Sequence, residues 1–140
     1  MKKLFLFFVA IAFSVASFAH SDENWQESDM LKNMQPEDKA ALLMVHFGTS
    51  YDDTRAATID ALNKKAQQEF PQLAFAEAYT SRMIINILGK RGVEKDTPLE
   101  ALLKLRAAGF THIVVQSSNV IDGAEMESLR KDIAQVEQFF

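Results

Sequence analysis

Apolar and polar positions divide most of the chain into segments of two kinds. Ala40 to Phe47 (AALLMVHF) is almost continuously apolar, the pattern of a short strand buried on both faces of a parallel sheet. It stops at Gly48. A stretch rich in hydroxyls and acids, Gly48 to Thr54, then leads into a helix over about Arg55 to Glu69. On that helix the spacing predicts an inward stripe of Ala57, Ala61, Leu62, Ala66 and Phe70, with Asp60, Asn63, Lys64 and Gln67 facing water. Pro71 prevents simple continuation, and Leu73 to Tyr79 reads as a second strand. Thr80-Ser81 introduces a helix over Arg82 to Lys90, whose apolar face is Met83, Ile84, Ile87 and Leu88.

Thr97-Pro98-Leu99-Glu100 is a compact helix start. Thr97 can cap, Pro98 takes a position needing no internal donor, and Glu100 can reach back to close a capping box. This third helix runs to Ala108, and Gly109 breaks it. Thr111 to Gln116 (THIVVQ) is a third strand, and a loop from Ser117 to Gly123 precedes a last helix from Ala124 to about Val136. Right-handed crossovers between such strands give a three-layer α/β/α domain with a mostly parallel sheet. The loops beginning at Gly48, Thr80 and Ser117 all leave carboxyl ends of strands, where open α/β sheets place their ligands.

The N-terminal segment has a different pattern. Lys2 and Lys3, the apolar run Leu4 to Phe13 and the small-residue stretch ending Ser17-Phe18-Ala19 form a secretory signal, with cleavage expected between Ala19 and His20. Residues 20–38 read as a polar leader holding Trp25, and residues 39–140 as one domain. Removing two lysines with the signal moves the formal charge from −4 to −6, and the remaining basic residues are interleaved with acids. That balance disfavours a nucleic-acid partner. Cysteine is absent, which excludes disulfides, thiolate metal sites, cysteine nucleophiles and an acylated lipoprotein anchor. The expected product is a soluble exported protein, periplasmic in a cell with two membranes.

The strand-end loops carry the candidate chemistry. The first lacks the repeated glycines of a dinucleotide fingerprint and the Gly-Lys-Thr of a phosphate cradle. Thr49 and Ser50 either offer a helix N-terminus to an anion or cap their own backbone. Tyr51 either forms an aromatic wall or packs the first turn. His46 either faces the same crevice or is a hydrogen-bonded histidine beside the core. Arg82, just after Thr80-Ser81, either pairs with a substrate carboxylate or bridges to Asp52 or Asp53. His112 begins the third strand at the opposite end, and no histidine pair has the spacing of a metal site on one helix face. No resident cofactor is expected.

Four blocks of sequence carry more specific information. Leu42 to Arg55 (LLMVHFGTSYDDTR), Ala78 to Ile85 (AYTSRMII), Thr97 to Leu102 (TPLEAL) and Gly109 to Ser117 (GFTHIVVQS) resemble, in order, the anaerobic-type sirohydrochlorin cobaltochelatases, a class II chelatase family within the ferrochelatase-like superfamily. The resemblance covers Ala41 to Val136 and corresponds to the N-terminal half of a family member, and exported versions of the family are known. It implies a domain like the first of two similar α/β domains. Complete relatives hold a flat tetrapyrrole between those domains and insert Co²⁺ into sirohydrochlorin in anaerobic cobalamin biosynthesis.

Carried over to this chain, the resemblance implies substrate-binding roles for Gly48, Thr49, Ser50, Tyr51, Thr80, Ser81, Arg82 and Asn119, and a catalytic role for His46. Asn119 stands where many relatives have a histidine. The family's metal-binding and proton-accepting histidines and its glutamate belong to the second half, so this chain alone is expected to be truncated and inactive, with Co²⁺ a substrate of the family. Alternatives are a periplasmic tetrapyrrole- or metal-binding module, a homo-oligomer, or the structural half of a split chelatase whose catalytic half is separately encoded.

Overall fold

The computed structural model describes residues 29–140. The expected signal, its cleavage point at Ala19 and His20, and Trp25 lie outside the described residues. Strand β1 (Ala40–His46) is followed by helix α1, which begins Asp52–Arg55, passes through a π-helical stretch Ala56–Asp60 and continues Ala61–Glu69. Then come β2 (Ala74–Tyr79), α2 (Arg82–Lys90), α3 (Pro98–Ala107), β3 (His112–Ser117) and α4 (Ala124–Glu137). The three strands form one sheet in the order β2-β1-β3, and both pairings are parallel. In register, His46 lies beside Tyr79, and Val45 beside both Ala78 and Ser117.

Burial follows from that order. β1 is central, and Ala41 to His46 are all buried, as its unbroken apolar run requires. On one face Leu43, Val45 and Ala78 pack with Ala101 and Leu102 of α3 and with Leu129 and Val136 of α4. At the end of β2, Tyr79 packs with Ile84 and Leu88 of α2 and with Ile59 of α1. α3 starts as its sequence predicts, with Thr97 Oγ1 accepting from the Glu100 N–H at 3.3 Å and Glu100 accepting from the Thr97 N–H at 2.8 Å.

α1 departs from its expected face. Ala57, Ala61, Leu62 and Phe70 are exposed, whereas Asn63, expected in water, is the buried residue of the helix. The inward stripe is Ile59, Asn63 and Ala66, at i, i+4 and i+7, so of the expected residues only Ala66 turns inward. Asn63 is accommodated there because His46 and Glu77 take up its amide.

Candidate functional site

The carboxyl ends of three parallel strands lie side by side, so the loops after them form one rim. Gly48 begins the first loop with φ +103°, a backbone conformation that suits glycine. A Cβ there would lie 2.6 Å from Tyr79 Cδ2, so glycine also lets the backbone sit against the tyrosine ring. The Tyr51 N–H donates to Thr49 Oγ1 at 3.3 Å, and Arg91 donates to the Ser50 carbonyl at 2.6 Å, which ties this loop to the end of α2. The second loop is tied to the first, with the Thr80 N–H on the His46 carbonyl at 2.8 Å and the Ser81 N–H on the Phe47 carbonyl at 3.1 Å. Ser81 caps α2 by accepting from the Ile84 N–H at 3.4 Å. In the third loop the Asn119 N–H donates to Ser117 Oγ at 3.1 Å.

Beneath the rim runs a buried polar chain. The His46 ring is 1% exposed and engaged at both nitrogens, Nδ1 with Ser118 Oγ and Nε2 with Asn63 Oδ1, each at 2.8 Å. Asn63 Nδ2 donates to Glu77, and Glu77 pairs with Lys95. Because Asn63 spends its N–H on Glu77, its oxygen must accept from His46, which fixes a proton on Nε2. In the neutral ring Nδ1 then accepts from Ser118. The Lys95 ammonium lies 5.1 Å from the centre of the Tyr79 ring, and His46 meets the same ring edge-on with centroids 6.3 Å apart. Burial, followed by the charge of Glu77, pushes the Tyr79 phenol well above its ordinary range, so it stays protonated at physiological pH.

The structure brings Gly48, Thr49, Ser50, Tyr51, Thr80, Ser81 and Asn119 to one edge of the sheet, and sets His46 under them. His46 thus occupies the position of a hydrogen-bonded histidine beside the core, joining α1 to the loop after β3. Arg82 is exposed and does not bridge to Asp52, which pairs with Arg55 at 2.7 Å. It lines an open cleft of about 930 Å³ with Lys90, Glu94, Asp96 and Glu100, and its charge acts on Asp132. His112 lies at the other end of β3 against Thr111 Oγ1 at 2.9 Å. No group of three or more His, Cys, Asp or Glu that could hold a metal ion occurs among the described residues, and no helix among them is long and apolar enough to cross a membrane.

Of the exposed apolar side chains at the rim, the sequence points to Tyr51 alone. Phe47 is 47% exposed, Tyr51 74%, Met83 69%, Val120 97% and Ile121 81%, and all five lie on the strand-end loops or the first turn of α2. Exposed apolar side chains grouped at the carboxyl edge of a parallel sheet make a candidate contact surface. Periodicity places Met83 on a packing face and Phe47 in a buried strand, whereas the structure exposes both. Apolar residues in loops, Val120-Ile121 above all, were the available signal. Asn63 and Glu77 carry no sequence signal of their roles, because those roles depend on partners from other elements, His46 and Lys95.

Known proteins are similar to this chain in sequence. The family model described as Cobalt chelatase (CbiK) matches residues 40–140. The Sirohydrochlorin cobaltochelatase of Salmonella typhimurium strain LT2 is 40% identical over 103 residues, which is 73% of this chain and 39% of the relative. The Sirohydrochlorin cobaltochelatase CbiKC of Nitratidesulfovibrio vulgaris strain Hildenborough is 30% identical over 111 residues, which is 78% of this chain and 39% of that relative. The chain therefore spans well under half the length of these curated relatives.

Proposed function

Since the chain belongs to the CbiK cobalt chelatase family, we propose that it supplies one wall of a sirohydrochlorin cobaltochelatase site, holding one face of a carboxylated tetrapyrrole against the rim. The observation that carries this reading is the set of exposed apolar side chains Phe47, Tyr51, Met83, Val120 and Ile121 on the loops at the strand carboxyl ends. A flat macrocycle matches such a surface because it loses water from both itself and the wall. Support also comes from the two relatives, both named for sirohydrochlorin cobaltochelatase. The hydroxyls of Thr49 and Ser50 and the guanidinium of Arg82 are the groups suited to the macrocycle's carboxylates.

In this role the Lys95-Glu77-Asn63-His46-Ser118 chain positions the rim. It links β2, α1, β1 and the loop that carries Asn119, so the wall keeps its shape before ligand arrives. Metal delivery and proton removal need groups on the other side of the ring, which a single wall does not reach. Titration with sirohydrochlorin under anaerobic conditions, followed by the macrocycle's absorption, tests the proposal. Val120→Ser combined with Ile121→Ser is expected to weaken binding at least tenfold while far-ultraviolet circular dichroism stays unchanged. Arg82→Ala should weaken it less. Equal affinity across wild type and the double variant would remove the rim from the site.

We also propose that the chain is exported after cleavage between Ala19 and His20, from the charged start, apolar run and small residues of its first 19 positions. Mass spectrometry of the secreted or periplasmic protein is expected to find His20 at the N-terminus. Recovery of intact Met1 protein only would overturn this.

A further inference from the structure

Each hydrogen bond of the buried His46 ring has a defined direction. Asn63 Nδ2 donates to Glu77, which leaves Asn63 Oδ1 to accept, so His46 Nε2 keeps its proton whatever the charge on the ring. The freedom lies at Nδ1. Its partner Ser118 Oγ is 2.8 Å away, and the same hydroxyl has a second acceptor in reach, the Val45 carbonyl at 3.5 Å. That carbonyl also takes the Ser118 N–H at 2.9 Å, and a carbonyl oxygen has room for two donors. These contacts make two complete arrangements. In one, the Ser118 O–H donates to a neutral ring. In the other, a protonated Nδ1 donates to Ser118 Oγ, and the hydroxyl hydrogen turns to Val45. Passing between them rotates one O–H bond and displaces no heavy atom.

Charges around the ring come from three elements and one connection. β2 contributes Glu77, reached through Asn63, and the Tyr79 phenol, whose ring meets His46 edge-on. Lys95, between α2 and α3, pairs with Glu77 and lies 5.1 Å from the centre of the Tyr79 ring. From α1, Arg55 and Asp60 act on Tyr79 with opposite signs, and Arg55 pairs with Asp52 at 2.7 Å. The third strand contributes the Ser118 hydroxyl from the loop after it. Both cations thus have a carboxylate partner, and neither stands as an unbalanced charge against a proton on His46. The ring is 1% exposed, and every partner that encloses it lies within the described residues.

We propose that His46 is a proton-operated switch beneath the rim: taking a proton at Nδ1, it reverses its bond to Ser118 and sets a positive charge behind the loop that carries Asn119. A bond with a charged donor is the stronger kind, so the loop stays held in both states. What changes is the electrostatic potential at the rim. The consequence for ligand rests on the reading of this rim as one wall of a tetrapyrrole site. A carboxylated macrocycle there meets the added charge across low-dielectric protein, so acid tightens its binding and, by reciprocity, its binding draws in a proton.

Ring nitrogen-15 spectra of the purified chain test the switch without ligand, over the range of about pH 8 to 5 in which histidine side chains gain charge. The chain has three histidines, and comparison with His46→Gln assigns the signals. At the alkaline end the spectrum should be that of the Nε2–H tautomer. On acidification Nδ1 should gain a proton while the Ser118 amide keeps its protection from hydrogen exchange. A ring that stays neutral throughout overturns the proposal, and so does protonation that exposes the Ser118 amide, which marks local unfolding. Ser118→Ala strands a charged N–H, a larger loss than that of a neutral bond, and should move protonation to more acid pH. Ser118→Thr should restore it, and an unchanged titration in Ser118→Ala overturns the reversal. Sirohydrochlorin binding, measured at both ends of the range, separates the switch from the wall. Acidification should tighten binding to wild type about threefold more than binding to His46→Gln. Equal pH dependence in the two overturns the proposal, whereas absence of binding at either end counts against the wall and leaves the ring spectra to decide the switch.

Discussion

Gly48 is constrained in two independent ways, by a backbone at φ +103° and by a Tyr79 ring that leaves no space for a Cβ. Gly48→Ala should therefore destabilise the domain by at least about 1–3 kcal/mol, read from urea unfolding, because the strain has nowhere to relax without moving Tyr79. Asn63 is constrained by its partners. Asn63→Ala leaves buried groups on His46 and Glu77 unsatisfied, at an expected cost of about 1–3 kcal/mol. Asp132 shows the opposite sign. Partial burial raises its carboxyl above the usual range, more than the nearby Arg82 lowers it. The folded state then binds more protons than the unfolded state between the two pKa values, so this group weakens the fold as pH rises through that window. Asp132→Asn should accordingly raise the thermal midpoint at pH 7, and the gain should vanish below the carboxylate range.

Helices α1 and α3 show how far local rules reach at the scale of an element. α3 follows them: Thr97, Pro98 and Glu100 form the capping box that their spacing announces, and Thr97→Ala should cost about 1 kcal/mol in denaturant unfolding. Glu100 sits below its ordinary range because it accepts from the Thr97 backbone and hydroxyl, which favours its ionised form. Its contribution is present above the unfolded carboxylate pKa and is lost as pH falls through the lower, folded value. The stability gap between wild type and Glu100→Gln should therefore close on acidification below about pH 4. α1 departs from those local rules at Asn63, a polar residue held in the interior because His46 of β1 and Glu77 of β2 take up its amide.

At the scale of the molecule, the described residues present a three-stranded sheet whose carboxyl rim carries exposed apolar side chains above a buried polar chain. On the proposed function this rim grips one side of a planar ligand, whereas metal insertion needs groups on the other side of the ring. Residues 1–140 tested alone should therefore bind sirohydrochlorin without inserting Co²⁺ at an enzymatic rate. Anaerobic incubation with sirohydrochlorin and Co²⁺, followed by absorption against a protein-free control, checks this. Robust turnover abolished by His46→Ala would show that the buried imidazole becomes accessible in the complex.

The linear chain determined the elements, their order, the parallel sheet and the loops that share its working edge, because strand burial, helix capping and crossover handedness are set by short-range pattern and chirality. It also carried the family, in four blocks of loop and strand residues. Tertiary structure alone decided which of the open readings His46 takes, since both ring partners come from elements distant in sequence, Asn63 and Ser118. It placed Arg82 beside the cleft with Glu100 and away from Asp52, and it exposed Phe47 and Met83 where periodicity had buried them. The physical reason is the same in each case: a side chain's partners are chosen by the packing of elements distant in sequence, which leaves no mark on the spacing of the residues themselves.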